Sequence, residues 1–494
     1  MPKPQFQPPV IVVPGITGTG LQDYYPIPPE EVWSAVLKKN YERISMHPDN
    51  PRYEALEPAR VQPYGIFGII YEDLVEALRH DLMIRRTEPT PVYPFSYDWR
   101  QDCTQSADLL AGFIEEVIER TVLLPHYREA KKALCVDLVA HSMGGLIVAD
   151  YLTRYGKDQK VRRVVSIASP FEGSVDAIEK VSTGMGTLTG SYPRDREREA
   201  SRTIPAIYQL LPSYDGAVAD EPGQPNDIFD VQTWRVWQRS VLMTLREYVR
   251  LHKAEIDPET LLGQYLDTAW KHRQRIRKLD LARALPDGVK GWMAIAGLGE
   301  LTQIKVETKR DVGGRWFSFP PPVEEWKNDH ASMNTGDGTV PFAGAIPRFL
   351  KIENLVCVSR AEFGIFELGD RALALPVEQP LQRGRREHQR QPGGLAEHRN
   401  RRIDRLHPGK NVGHEVDVGE RRGVAVPGDL VVGRPVDVVE HREGQAPPGQ
   451  RAEVVDVVAV GELAHGVLEA VHRPTLARLR RSAKPFIRAS GLQT

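Results

Sequence analysis

Residues 133–155 read ALCVDLVAHSMGGLIVADYLTRY. Ala133–Ala140 is apolar and β-branched enough for a strand, and Gly144–Tyr155 takes up helical spacing. Between the two stands Ser142, on a tight strand-to-helix turn, the setting of a nucleophile elbow. Small residues at 140 and 144 suit such a turn. Larger side chains two positions either side of the serine would collide with the neighbouring strand and helix. The turn lifts Ser142 Oγ above the sheet. It also leaves the Met143 backbone N–H free at a helix N-terminus, ready for an oxyanion. Small-x-Ser-x-small occurs by chance in any long chain, so the strand before and the helix after carry the reading.

Outward from the elbow, strands and helices alternate. Val10–Val13 is a β-branched run stopped by Pro14-Gly15, and Pro91–Phe95 and Val161–Ala168 are further strand candidates. Tyr71–Leu82 reads as a helix. Ser106–Leu124 is a clearer one, with Leu110, Phe113, Ile114, Val117 and Ile118 on one stripe. This order predicts an α/β fold, a mostly parallel sheet with helices on both faces. Residues 175–290 break the rhythm. Val231–Leu251 and Pro258–Leu279 are helical, Asp220–Asn226 is a joint, and no clear strand signal intervenes. Trp292–Ala296, Gln303–Thr308 and Leu355–Ser359 then restore strand-like runs. The predicted organisation is a core of 1–174 and 291–375, a helical cap over 175–290, and a poorly structured tail over 376–494.

Composition narrows the function classes. The chain has 494 residues and a formal net charge of −1, which gives no global electrostatic case for nucleic acid or an anionic membrane as partner. No apolar run reaches the ~18 residues of a spanning helix. Cys103, Cys135 and Cys357 are too few and too scattered for a disulfide framework or a zinc site. The start, MPKPQFQPPVIVVPG, lacks the pattern of a secretory signal. The expectation is a soluble cytoplasmic protein with reduced thiols and no metal or cofactor. The end of the chain differs in kind. Phe486 is the sole aromatic residue after 380, and that stretch holds 18 Arg against 2 Lys. Such a composition buries a dense core poorly. A change of reading frame near residue 377 in a GC-rich gene would produce it.

A serine needs a base and an orienting carboxylate to act as a nucleophile. In this kind of fold the chain order is Ser, acid, His. Asp337, in Asn334-Thr335-Gly336-Asp337-Gly338-Thr339-Val340-Pro341, fits the acid, although an Asp-Gly turn by itself is ordinary. Asp98 and Asp137 are weaker candidates, and Asp137 lies within the strand that leads to the elbow. The second oxyanion donor comes from the loop after an early strand. Pro14-Gly15-Ile16-Thr17-Gly18-Thr19-Gly20 follows Val10–Val13 directly and offers the Ile16 N–H. A phosphate-binding loop is the rival reading there. It fails because no Lys follows the glycines and the G-x-G-x-x-G spacing is not reproduced.

Several segments together resemble the lecithin:cholesterol acyltransferase and phospholipid:diacylglycerol acyltransferase family of α/β-hydrolases. They are Pro14-Gly15 with Gly18, Tyr97-Asp98-Trp99-Arg100, Ala140–Gly145, Ala168-Ser169-Pro170 with Gly173-Ser174, Gln209-Leu210-Leu211-Pro212-Ser213, and Gly336–Pro341. They run in family order over roughly residues 10–365. The resemblance implies an acyl-enzyme on Ser142, an acyl chain drawn from a lipid ester, and transfer to an alcohol or to water. It also implies oxyanion N–H groups from Ile16 and Met143. It departs at the histidine, expected a few tens of residues after the acid. No histidine lies between His330 and His388. His388 is the nearest candidate for the base. It stands in Arg385-Arg386-Glu387-His388-Gln389-Arg390, where a solvated residue in a charged run is the better reading. Two function classes follow: a lipid acyltransferase or ester hydrolase, or a catalytically silent hydrolase-fold protein that binds a lipid or a partner.

Overall fold

The computed structural model describes residues 6–359 except 25, 35–37, 47–60, 86, 131–133, 185–194, 220, 313 and 320–335. The predicted tail, His388 included, lies outside the described residues. The first strand, β1 (Val10–Val13), shows why a sheet forms. All four side chains are buried, Ile11 and Val13 in one apolar cluster and Val10 and Val12 in another. A strand apolar on both faces is stable only between two layers. The helix Gly68–Asp81 supplies one layer through Tyr71, Leu74, Val75 and Leu78. The helices Cys103–Thr121 and Met143–Tyr155 supply the other through Leu110, Ile114, Leu146 and Ile147.

Three antiparallel pairings lie between β1 and the helix Gly68–Asp81. They join β2 (Thr19–Asp23), β3 (Glu30–Ser34), β4 (Lys38–Lys39) and β5 (Val61–Ile66) into a small sheet of order β4-β3-β2-β5. The strand reading of the sequence passed over this sheet. Its strands are short, polar and interrupted by glycine and proline, so no period-2 apolar pattern marks them. The main sheet resumes with β6 (Val92–Pro94), β7 (Val136–His141) and β8 (Val161–Ile167), then β9 (Trp292–Leu298). A hairpin of β10 (Glu307–Asp311) and β11 (Gly314–Ser318) stands apart, and β12 (Leu355–Ser359) completes the main sheet. Its order is β12-β9-β8-β7-β1-β6, and every neighbouring pair is parallel. The strand expected over Gln303–Thr308 is therefore displaced: the ladder begins at Glu307 and pairs within the hairpin.

Between β8 and β9 the described residues form helices, among them Val175–Thr183, Pro205–Gln209, Arg239–Leu251 and Pro258–Ile276. The run read as one helix, Val231–Leu251, breaks at Gln238 into Val231–Trp237 and Arg239–Leu251. Buried Arg273 anchors this segment by donating to the carbonyls of Phe171, Gln209 and Leu211. Gln209 reaches across to the start of the helix Cys103–Thr121. Its side chain accepts from Cys103 N–H at 2.7 Å and donates to Asp102 at 3.0 Å. Among the described residues no helix is long and apolar enough to cross a membrane.

Candidate active site

The carboxyl ends of β1, β7, β8 and β9 share one edge of the main sheet. Ser142 leaves that edge with φ 51° and ψ −126°, a conformation L-residues avoid, and the helix Met143–Tyr155 starts at the next residue. Thr17 (φ 61°) and Ala168 (φ 50°) follow β1 and β8 and are also left-handed. Three strained non-glycine residues thus stand past the ends of three adjacent strands. Strain persists where packing over-determines the backbone, and it gathers at functional sites. The packing here is close. A Cβ on Gly144 would run into the carbonyl oxygen of Val13 and lie 2.8 Å from that of Pro14, and one on Gly145 would overlap Ser169 Oγ. A Cβ on Gly15 would stand 3.3 Å from Ser142 Oγ, so the first loop lies directly against the serine.

That loop is a tight turn. Gly18 N–H donates to Gly15 C=O at 3.1 Å, with Ile16 and Thr17 at the corner. A trans peptide points its N–H opposite to its C=O. Turning the Gly15 carbonyl inward therefore turns the Ile16 N–H outward. Among the described residues neither the Ile16 nor the Met143 N–H has a hydrogen-bond partner. Tyr97-Asp98-Trp99-Arg100 holds the loop from behind. Tyr97 O–H donates to Pro14 C=O at 2.9 Å, and Trp99 Nε1–H donates to Thr19 C=O at 3.1 Å. Asp98 is engaged by Arg100 through two bonds of 2.9 and 2.8 Å, and Arg100 is wholly buried. Asp137 accepts from Arg162 Nε at 3.0 Å and from Gln7 at 3.1 Å. Both weaker acid candidates have structural partners.

Asp337 sits over the end of β9. A Cβ on Gly297 would lie 2.5 Å from Asp337 Cβ, so glycine there makes room for the acid. Asp337 Oδ1 accepts the N–H groups of Thr339 at 2.9 Å and Val340 at 2.7 Å, and Thr302 Oγ1 accepts from Gly338 N–H at 2.9 Å. Ser174 Oγ ties the turn to the residues after β8 by donating to Thr339 C=O at 2.6 Å. Burial pushes the Asp337 carboxyl up to about 6, against the opposing pull of the Val340 and Thr339 N–H groups.

The sequence reading missed Tyr71, whose hydroxyl lies 2.9 Å from both Gly15 N and His141 Nδ1. Its signal in sequence is no more than an aromatic residue on the buried stripe of a helix. His141 adjoins Ser142, but burial brings its imidazole down to about 4, and its Nδ1 is engaged by Tyr71. It is not the base. The other described histidines, His80, His126, His252 and His272, belong to other elements, and among the described residues no side chain hydrogen-bonds to Ser142 Oγ. The position expected for the base, beyond β12, lies outside the described residues.

Residues 64–292 match the model of the lecithin:cholesterol acyltransferase family. The span runs from within β5 to the first residue of β9. It contains Ser142 but neither Ile16 nor Asp337. The resemblance drawn from the motifs is borne out over that stretch. Among solved structures the chain is similar to one in the Tle4–Tli4 complex. The identity is 16% and the TM-score 0.51, over 68% of this chain and 88% of that one. It is also similar to Bacillus licheniformis lipase BlEst2 in its mature form, at 14% identity and a TM-score of 0.30, over 73% and 85% of the two chains. No curated protein matches. The fold is that of the α/β-hydrolases, as the sequence predicted.

Proposed function

Starting from that family match, we propose that the chain is a serine-nucleophile lipid O-acyltransferase or lipid-ester hydrolase that works through an acyl-enzyme on Ser142. The observation that carries the reading is the Ser142 backbone, left-handed between a buried parallel strand and a helix N-terminus, with a tight turn pressed against it. Ser142 Oγ attacks the ester carbonyl and passes its proton to a histidine. The N–H groups of Met143 and Ile16 hold the oxygen on which charge develops. Asp337 orients the histidine through Oδ2, since Oδ1 is engaged by its own turn. The ester's alcohol leaves with the proton, and a second alcohol or water takes the acyl group. The histidine has to enter from beyond β12. The family resemblance supports a fatty-acyl substrate, and the helices between β8 and β9 are the part of the chain available to cover an acyl chain worth ~0.8 kcal/mol per buried CH₂. The place of work in this proposal is the cytoplasm, and fractionation of tagged cells tests it.

A second reading is a catalytically silent protein that keeps the fold and binds a lipid. It is favoured by the engagement of His141 and by the charged run around His388. A fluorophosphonate probe separates the two, because an activated serine labels within minutes. Rapid labelling lost in Ser142→Ala, with turnover rising from acetyl to medium-chain p-nitrophenyl esters, supports the enzyme. No labelling of the folded wild type, or preference for acetyl at matched solubility, sinks the lipid-enzyme reading. His388→Ala is expected to change the labelling rate little. A loss of several orders of magnitude would make His388 the base.

A further inference from the structure

We infer that Tyr71 is a positioning residue, whose single hydroxyl holds the first loop and the nucleophile elbow at a set separation. The inference rests on the Ser142 reading above and deepens it. The Tyr71 ring is buried in the helix Gly68–Asp81, with 1% of its surface exposed. Gly15 N–H can only donate, so the phenol oxygen accepts there at 2.9 Å. The same oxygen lies 2.9 Å from His141 Nδ1. A phenol has one proton, and a buried hydroxyl proton without an acceptor is costly. The proton therefore goes to His141 Nδ1, and the neutral imidazole carries its own proton on Nε2. Burial opposes ionisation of both rings, so the arrangement persists across neutral pH.

The two residues bridged by Tyr71 are the immediate neighbours of the reacting groups. Gly15 precedes Ile16, whose N–H is a proposed oxyanion donor, and His141 precedes Ser142. The helix start is fixed to the same loop, since Phe67 N–H donates to Gly18 C=O at 3.1 Å. A Cβ on Gly18 would stand 2.9 Å from the Tyr71 hydroxyl, so a larger residue there would press on the bridge. The ring pair of Tyr71 and His141 adds an edge contact at 5.9 Å between centroids. Three elements distant in sequence thus meet at one oxygen atom. An oxyanion donor acts only when it sits within hydrogen-bond reach of the charged oxygen, so a small displacement of the loop acts on the transition state and not on ground-state binding.

Two measurements test this. In wild-type protein carrying ¹⁵N-histidine, with His141 assigned through a His141→Gln variant, the ring is expected as the Nε2–H tautomer from pH 8 to pH 5. An Nδ1–H tautomer overturns the bridge, whatever the activity of the chain. In Tyr71→Phe, which keeps the ring and removes the hydroxyl, phosphonylation of Ser142 and ester kcat should fall roughly 10–100-fold while KM stays within about twofold. Labelling within about twofold of wild type, or kcat and KM worsening alike together with a fall in Tm, overturns the positioning role. If the wild type does not label, the function proposed for Ser142 falls, and the tautomer still decides whether the bridge exists.

Discussion

The elbow at Ser142 and the turn at Asp337 occupy the same edge of the sheet and are built in opposite ways. The elbow is held from outside. Its backbone is strained, and Val13 and Pro14, Ser169 and the Tyr71 hydroxyl press in from three other segments. The Asp337 turn is held mostly by itself, through N–H groups two and three residues ahead. Strained backbone survives only where tertiary packing over-determines it, whereas a carboxylate can be aimed by its own peptide groups. The elbow should therefore be sensitive to added atoms and the turn to lost charge.

The largest expected effect tests the nucleophile. Ser142→Ala should reduce ester turnover at least roughly 10⁴-fold and shift Tm by no more than a few degrees, because alanine accepts the same backbone geometry. Persistent turnover would remove the elbow from the chemistry. Next comes charge at the turn. Asp337→Asn should cut kcat by roughly 10²–10⁴-fold with the fold intact. Asp98→Asn should instead lower Tm, since it removes the carboxylate charge that the buried Arg100 engages through two bonds, a loss of about 3–5 kcal/mol. An Asp98→Asn variant that keeps its Tm and loses kcat would exchange the roles assigned to the two acids.

Added atoms give the next contrast. Gly144→Ala should destabilise by about 2–4 kcal/mol in urea melts, because backbone oxygens of Val13 and Pro14 stand where the methyl must go. Gly338 has φ 98° but open space around it, so Gly338→Ala should cost about 1–2 kcal/mol of backbone strain. Equal costs would mean that the elbow relaxes more easily than its packing implies. The smallest effect is in pH. Burial raises Asp337 from 3.8 to about 6 and lowers His141 from 6.5 to about 4. The raised acid contributes stability below pH 4 that is lost as pH rises through 6. The depressed histidine contributes stability above pH 6.5 that is lost as pH falls through 4. Measured against wild type, Asp337→Asn should gain stability between pH 4 and pH 7, by about 1–3 kcal/mol, and His141→Asn should lose a similar amount. Same-sign changes would mean that one of the two groups is not ionising as its burial requires.

How much of this was legible beforehand depended on how local each feature is. β1, β7 and β8 were readable because a strand buried on both faces is a continuous β-branched run. The helix Cys103–Thr121 was readable from its stripe. The elbow was readable because its steric demands fall on residues within two positions of Ser142. The antiparallel sheet over Thr19–Ile66 was not, because its short strands carry no apolar period and β2 pairs with β5, whose residues lie tens of positions away. Tyr97-Asp98-Trp99-Arg100 was recognisable as a motif, but its work was not. Only the folded chain brings Tyr97 to Pro14 and Trp99 to Thr19.

The sequence by itself determined the parallel sheet, its helical layers, the serine on its turn and the Asp337 loop, because periodicity, glycine placement and turn chemistry act over a few neighbouring residues. The tertiary structure alone decided that Tyr97 holds the first loop from behind and that Tyr71 joins that loop to the elbow. Those facts depend on atoms separated by 56, 70 and 83 positions in the chain meeting within 3 Å, and no local pattern of residues encodes such a meeting.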